Sequence, residues 1–133
     1  MTILELIPAR LAGLRILLVE DEPMIAMLLE KTLQRLGITV LGPVGSLSKA
    51  VDMARSLEFD GAILDVTIRG GNVFPVAELL IARGIPFVLA TGYQVEHLPA
   101  NLRGQRLLRK PYSTDDLTAA LQYVAETTLN RGD

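Results

Sequence analysis

Five short apolar runs, separated by stretches with helical spacing, constrain this chain more than any other feature. Arg15 to Glu20 (RILLVE), Ile38 to Leu41, Gly61 to Asp65 (GAILD), Pro86 to Ala90 (PFVLA) and Gln105 to Arg109 (QRLLR) have the length and apolarity of strands, most of them buried on both faces. From Pro23 to Leu36 the apolar positions Ile25, Leu28, Leu29, Leu33 and Leu36 recur every three or four residues, and Gly37 stands where a helix C-cap glycine belongs. The second strand closes at Gly42 and Pro43, and Ser46 caps a helix running through Val51, Ala54 and Leu57. After a loop holding Gly70, Gly71 and Asn72, a helix over Val76, Leu79 and Leu80 stops at Gly84. Ser113, with Asp116 three residues later, caps a last helix through Leu117, Leu121 and Val124. Gln94 to Gly104 has weak periodicity and contains Pro99, which predicts at most a turn or two of helix.

Strict alternation of this kind predicts an α/β fold, doubly wound, with a five-stranded parallel sheet, right-handed crossovers and helices on both faces. Its functional site then belongs at the carboxyl ends of the strands. At 133 residues the chain has the length of one domain, read as 14–129, with residues 1–13 as an N-terminal extension and 130–133 as a tail. Half the residues are hydrophobic but only 5% are aromatic, so the core is aliphatic.

Thirteen basic and fifteen acidic side chains leave a net charge of -2, too little to draw in nucleic acid or an anionic membrane, so neither is expected as a direct partner. The absence of cysteine excludes disulfides, thiolate metal sites and cysteine nucleophiles. Glu5 interrupts the apolar patch Ile3 to Ile7, Pro8 follows and no basic residue precedes it, which makes a poor leader. No stretch approaches the roughly 18 apolar residues of a membrane span. The reading is a cytoplasmic protein.

Every chemically suggestive residue falls at a strand's carboxyl end. Glu20 and Asp21 close the first strand and Asp65 the third, so three carboxylates converge from distant parts of the chain. Their mutual repulsion calls for a hard divalent cation, and Mg²⁺ takes one or two carboxylates, keeps waters and bridges to phosphate. An Asp fixed beside Mg²⁺ serves as a nucleophile toward phosphorus. Thr91 ends the fourth strand, where its hydroxyl can reach a phosphoryl oxygen, and Gly92 lets backbone approach without a Cβ. Lys110 ends the fifth and can set an ammonium against the phosphate or against Asp65. Singly, each has an ordinary explanation as a solvated acid, a turn or a surface lysine.

In order along the chain, LLVEDEP from Leu17, AILDV from Ala62, LATGY from Leu89 and LLRKP from Leu107 resemble the receiver domains of bacterial response regulators, over roughly Leu14 to Leu129. The resemblance implies a flavodoxin-like sheet of strand order 2-1-3-4-5 and phosphorylation by a sensor histidine kinase or phosphotransfer protein, with output through a downstream protein target. It makes Glu20 and Asp21 the metal-binding acid pair, Asp65 the phosphoacceptor, Thr91 the switch hydroxyl and Lys110 the phosphate-contacting lysine. Thr67 would lend its backbone carbonyl to Mg²⁺, and Lys110–Pro111 would be cis. Two positions depart from the usual pattern: Glu20 stands where Asp is common, and Leu107 stands where an aromatic switch ring is common. IPFVLATGYQVEHLP resembles the FAT GUY receivers, which also lack that ring, and Tyr93 fits their aromatic after the switch threonine. The switch is accordingly expected in Thr91, Gly92 and Tyr93, with a short or irregular fourth helix.

Three other readings compete with this one. A haloacid-dehalogenase-type phosphatase needs a second Asp where Thr67 stands, and a flavin-binding fold needs a phosphate-cradling loop where the acidic EDEP stands. A pseudo-receiver acting only as a docking module is opposed by the set Asp21, Asp65, Thr91 and Lys110. His97 reads as a surface residue and the terminal Arg-Gly-Asp as a frayed tail. With no effector segment after Leu129, output is expected through a partner, through competition for phosphoryl groups or through a domain outside this chain. Self-association as a homodimer stays open.

Overall fold

The computed structural model describes residues 11–92 and 98–130. Five parallel strands form one sheet: β1 (Arg15–Val19), β2 (Thr39–Val44), β3 (Gly61–Asp65), β4 (Phe87–Thr91) and β5 (Arg106–Arg109). Their spatial order is β2-β1-β3-β4-β5, as the resemblance implies. The crossovers carry α1 (Pro23–Arg35), α2 (Leu47–Ser56) and α3 (Phe74–Arg83), and α4 (Thr114–Asn130) follows β5. Between β4 and β5 the described helix is a single 3₁₀ turn, Ala100–Leu102. The irregularity expected there holds for the described part, while Tyr93 and His97 lie outside the described residues.

The period of two along each central strand sorts its side chains into two apolar layers. Leu17, Val19, Ala62, Leu64, Phe87 and Leu89 pack with Ala50 and Ala54 of α2 and Val76, Ala77 and Leu80 of α3. Ile16, Leu18, Ile63, Val88 and Ala90 face the other way, against Leu29 and Leu33 of α1 and Leu117, Leu121 and Val124 of α4. This two-sided burial is why the central strands read as continuous apolar runs rather than alternating ones. Gly61 opens β3 because α4 lies so close that an added Cβ would collide with Val124 Cγ1.

The helix ends follow local chemistry. Ser113 Oγ accepts the Asp116 N–H and Asp116 Oδ2 accepts the Ser113 N–H, both at 3.0 Å, a reciprocal capping box that opens α4. Gly84 ends α3 at φ +70, a conformation that costs glycine little. Ser46 is the N-cap of α2, although its side chain makes no capping hydrogen bond.

Three features lie beyond what the sequence pattern predicts. β2 does not close at Gly42 but continues through Gly42-Pro43 to Val44, with a bulge that sets Val44 rather than Pro43 opposite Val19. An edge strand tolerates this, because Pro lacks an N–H only where no neighbouring strand requires one. The loop after β3 also folds on itself, as Thr67–Ile68 pairs antiparallel with Gly71–Asn72. Leu11, ahead of residue 14, is fully buried with Leu33 and Ile38. No helix among the described residues is long and apolar enough to cross a membrane.

Candidate functional site

The parallel register delivers the polar residues to one edge. β3 pairs with β4 through Asp65 and Ala90, which puts Thr91 one step further along the same rim. Thr91 pairs with Arg109, and the Lys110 N–H donates to the Thr91 carbonyl at 3.0 Å, so the ends of β4 and β5 are tied together. On the other side the Glu20 N–H donates to the Val44 carbonyl at 3.0 Å and fixes the turn out of β1.

Glu20, Asp65 and Thr91 are the buried polar residues among those described, 4%, 7% and 2% exposed. One carboxylate oxygen from each of Glu20, Asp21 and Asp65 lies within 4.8 Å of the others. Lys110 Nζ sits 3.1 Å from Asp65 Oδ2 and 3.6 Å from Glu20 Oε1, bridging both acids. Glu20 Oε2 also accepts the Glu22 N–H at 3.1 Å, just before α1 begins. Burial pushes the Glu20 carboxyl up to about 7 against the pull of that N–H, and the nearby Asp65 adds to the rise. For Lys110, burial works downward, but Asp65 and then Glu20 outweigh it and hold the ammonium above its ordinary value.

Asp21, Asp65, Thr67, Thr91, Gly92 and Lys110 line a single open cleft of about 570 Å³. Of the residues singled out from the sequence for the site, these six share the cleft, Glu20 stands behind the lining, and Tyr93 lies outside the described residues. Among the described residues, a Cβ at Gly92 would meet nothing within 4 Å. Leu107 is half-buried against the apolar layer that includes α3. Lys110–Pro111 is cis, as the resemblance implies, and Gly42–Pro43 is cis as well.

The sequence reading passed over Pro23, which with Glu22 forms the cleft's lip, and Tyr112. The first two lie inside EDEP and follow from its position. Tyr112 carries no such signal: burial, then the charges of Glu20 and Asp65, push its phenol up to about 12. The donor set suits a hard cation, since it is all oxygen, three carboxylates against one lysine.

This geometry meets its match in known proteins. The model of the response regulator receiver domain matches residues 16–122. The chain belongs to the receiver domain family. The solution structure of SdrG from Sphingomonas melonis Fr1 resembles this receiver domain with 43% identity and a TM-score of 0.72, covering 84% of this chain and 95% of that one. The receiver domain of the sensor histidine kinase PA1611 from Pseudomonas aeruginosa, whose structure has a magnesium ion coordinated in the active-site cleft, is 26% identical with a TM-score of 0.75, covering 86% and 99%. The transcriptional regulatory protein PdtaR of Mycobacterium tuberculosis is 30% identical over 112 residues, 81% of this chain and 55% of its own length. The receiver domain spans about half the length of the curated relatives it matches. It is a signalling domain of two-component systems, and its family binds Mg²⁺ at the acidic edge and works with histidine kinases or phosphotransfer proteins and downstream effectors.

Proposed function

We propose that Asp65 is the phosphoacceptor of this receiver domain. The observation that carries the reading is the buried Asp65 carboxylate at the end of β3, 3.1 Å from Lys110 Nζ and within the Glu20–Asp21 cluster. Glu20, Asp21, Asp65 and the backbone carbonyl of Thr67 are the groups that would hold Mg²⁺. The ion would neutralise carboxylate charge and orient the incoming phosphate. An Asp65 oxygen forms the bond to phosphorus as the donor's own bond to it breaks. Lys110 then exchanges its carboxylate partner for a phosphoryl oxygen, and the Thr91 hydroxyl, with Gly92 beside it, answers the added charge of about -1.5 to -2. Water later hydrolyses the acyl phosphate in the same cleft.

The domain's own chemistry ends there, and the output is a change of protein partner. A phosphodonor protein has to cover the lip of the cleft at Pro23. Immediately beyond it α1 exposes Met24 (79%), Met27 (51%) and Leu28 (64%), an apolar face for such a donor. Leu28→Asp should slow transfer from a phosphorylated histidine protein several-fold and leave labelling by acetyl phosphate unchanged. Unchanged transfer from the histidine protein would put the donor elsewhere.

Mass spectrometry after incubation with Mg²⁺ and acetyl phosphate tests the core assignment. One hydroxylamine-labile phosphoryl group should map to Asp65. A label on any other residue would refute it.

A further inference from the structure

Gly45, between β2 and α2, stands where an added side chain would be crowded. Its φ lies outside the left-handed region. A Cβ there would fall 2.8 Å from Arg69 Nη2, 3.2 Å from Asp21 Cα and 3.4 Å from Asp21 Cβ. The Arg69 side chain therefore lies across a bare Cα on the Asp21 side of the loop, lining the groove of Ser46, Leu47 and Gly70 that neighbours the acidic cleft. Backbone contacts hold it there: the Leu47 N–H donates to the Arg69 carbonyl at 2.9 Å, and Ser46 and Arg69 form a parallel bridge. Arg69 Nε reaches the Gly45 carbonyl only at 3.5 Å. Among the described residues its guanidinium forms no ion pair with a carboxylate.

Among the described residues, Glu20, Asp21, Glu22 and Asp65 stand around the cleft against Lys110. A phosphodonor is itself an anion, so it approaches a rim of its own sign. We propose that Arg69 is the residue that draws an anionic phosphodonor into this cleft, a positioning residue for phosphoryl transfer held beside Asp21 by the missing side chain of Gly45. The inference rests on Asp65 as acceptor. With acetyl phosphate the Asp65 carboxylate forms an O–P bond, the acyl O–P bond breaks and acetate leaves with the electron pair, so no proton or further reactant is needed. The same guanidinium opposes a cation near Asp21. Its two effects therefore have opposite signs.

Labelling of the full chain by acetyl phosphate, with Mg²⁺ saturating, provides the test, alongside Mg²⁺ titration followed by NMR. In Arg69→Ala the KM for acetyl phosphate should rise roughly five- to tenfold with the saturating rate held, while Mg²⁺ binds about two- to fivefold more tightly. The difference in KM should shrink in high salt, which screens charges that face solvent. Arg69→Lys should restore most of the KM. Gly45→Ala keeps the arginine but pushes it aside, and should give a weaker version of the same paired change. The proposal is overturned if Arg69→Ala leaves KM unchanged while the wild type is labelled on Asp65. It is equally overturned if donor and Mg²⁺ weaken together, the mark of a disturbed loop. A wild type that takes no label on Asp65 would instead bring down the acceptor assignment itself.

Discussion

The β1–β3 pair carries one acid at its amino edge and three at its carboxyl edge, and the two edges are built on opposite terms. At the amino edge Asp60 Oδ2 accepts the Arg15 N–H at 2.8 Å, while Oδ1 sits 3.2 Å from Arg15 Nη2. The Asp60 carbonyl is taken by the Thr128 hydroxyl at 3.2 Å. That acid is balanced, one charge by one charge, with a backbone donor besides. At the carboxyl edge three carboxylates meet one lysine, and two of the three are buried. Packing alone would remove such an excess, because burying charge without full compensation costs free energy. What distinguishes a working acid from a structural one here is the imbalance around it.

Asp65→Asn is the most severe way to break this contrast. It should abolish acetyl phosphate labelling, read by mass spectrometry, whereas Asp60→Ala should label like the wild type. A loss of label in the second variant would erase the distinction between the edges. Within the carboxyl edge, Asp21 lines the cleft while Glu20 lies behind it, tied to Lys110 and the Glu22 N–H. Asp21→Asn should therefore weaken Mg²⁺ binding on the order of tenfold or more, and Glu20→Gln by less. Titration of both by NMR would show equal losses if both acids touched the ion alike. The smallest effect belongs to the balanced acid: Asp60→Ala should lower unfolding stability by about 1 kcal/mol, measured by urea denaturation. A change near zero would mean that water replaces Asp60 fully as the partner of Arg15.

The edges also differ in how legible they were. Glu20, Asp21, Asp65, Thr91 and Lys110 were readable because a strand that ends in a polar residue announces it against an apolar run. GAILD gave β3 residue for residue for the same reason. Asp60 went unnoticed: its partner Arg15 is 45 residues away, and nothing local marks the pair. The continuation of β2 through Gly42-Pro43 was hidden because that dipeptide normally signals a turn, and only the strand's place at the sheet edge permits it. Two-residue arms such as Thr67–Ile68 and Gly71–Asn72 are too short to show a period. Arg69 was invisible as a neighbour of Asp21, since their proximity depends on a gap left at Gly45.

The bulge and proline in β2 bear on what the sheet does in company. An unpaired strand border is a template on which another chain can add itself, the first step of runaway assembly. β2 is one such border, and its bulge together with Pro43 denies an incoming strand a regular ladder of donors. β5 is the other border, and it holds out two exposed cationic side chains, Arg106 and Arg109. Both borders of the sheet thereby discourage the addition of a further strand.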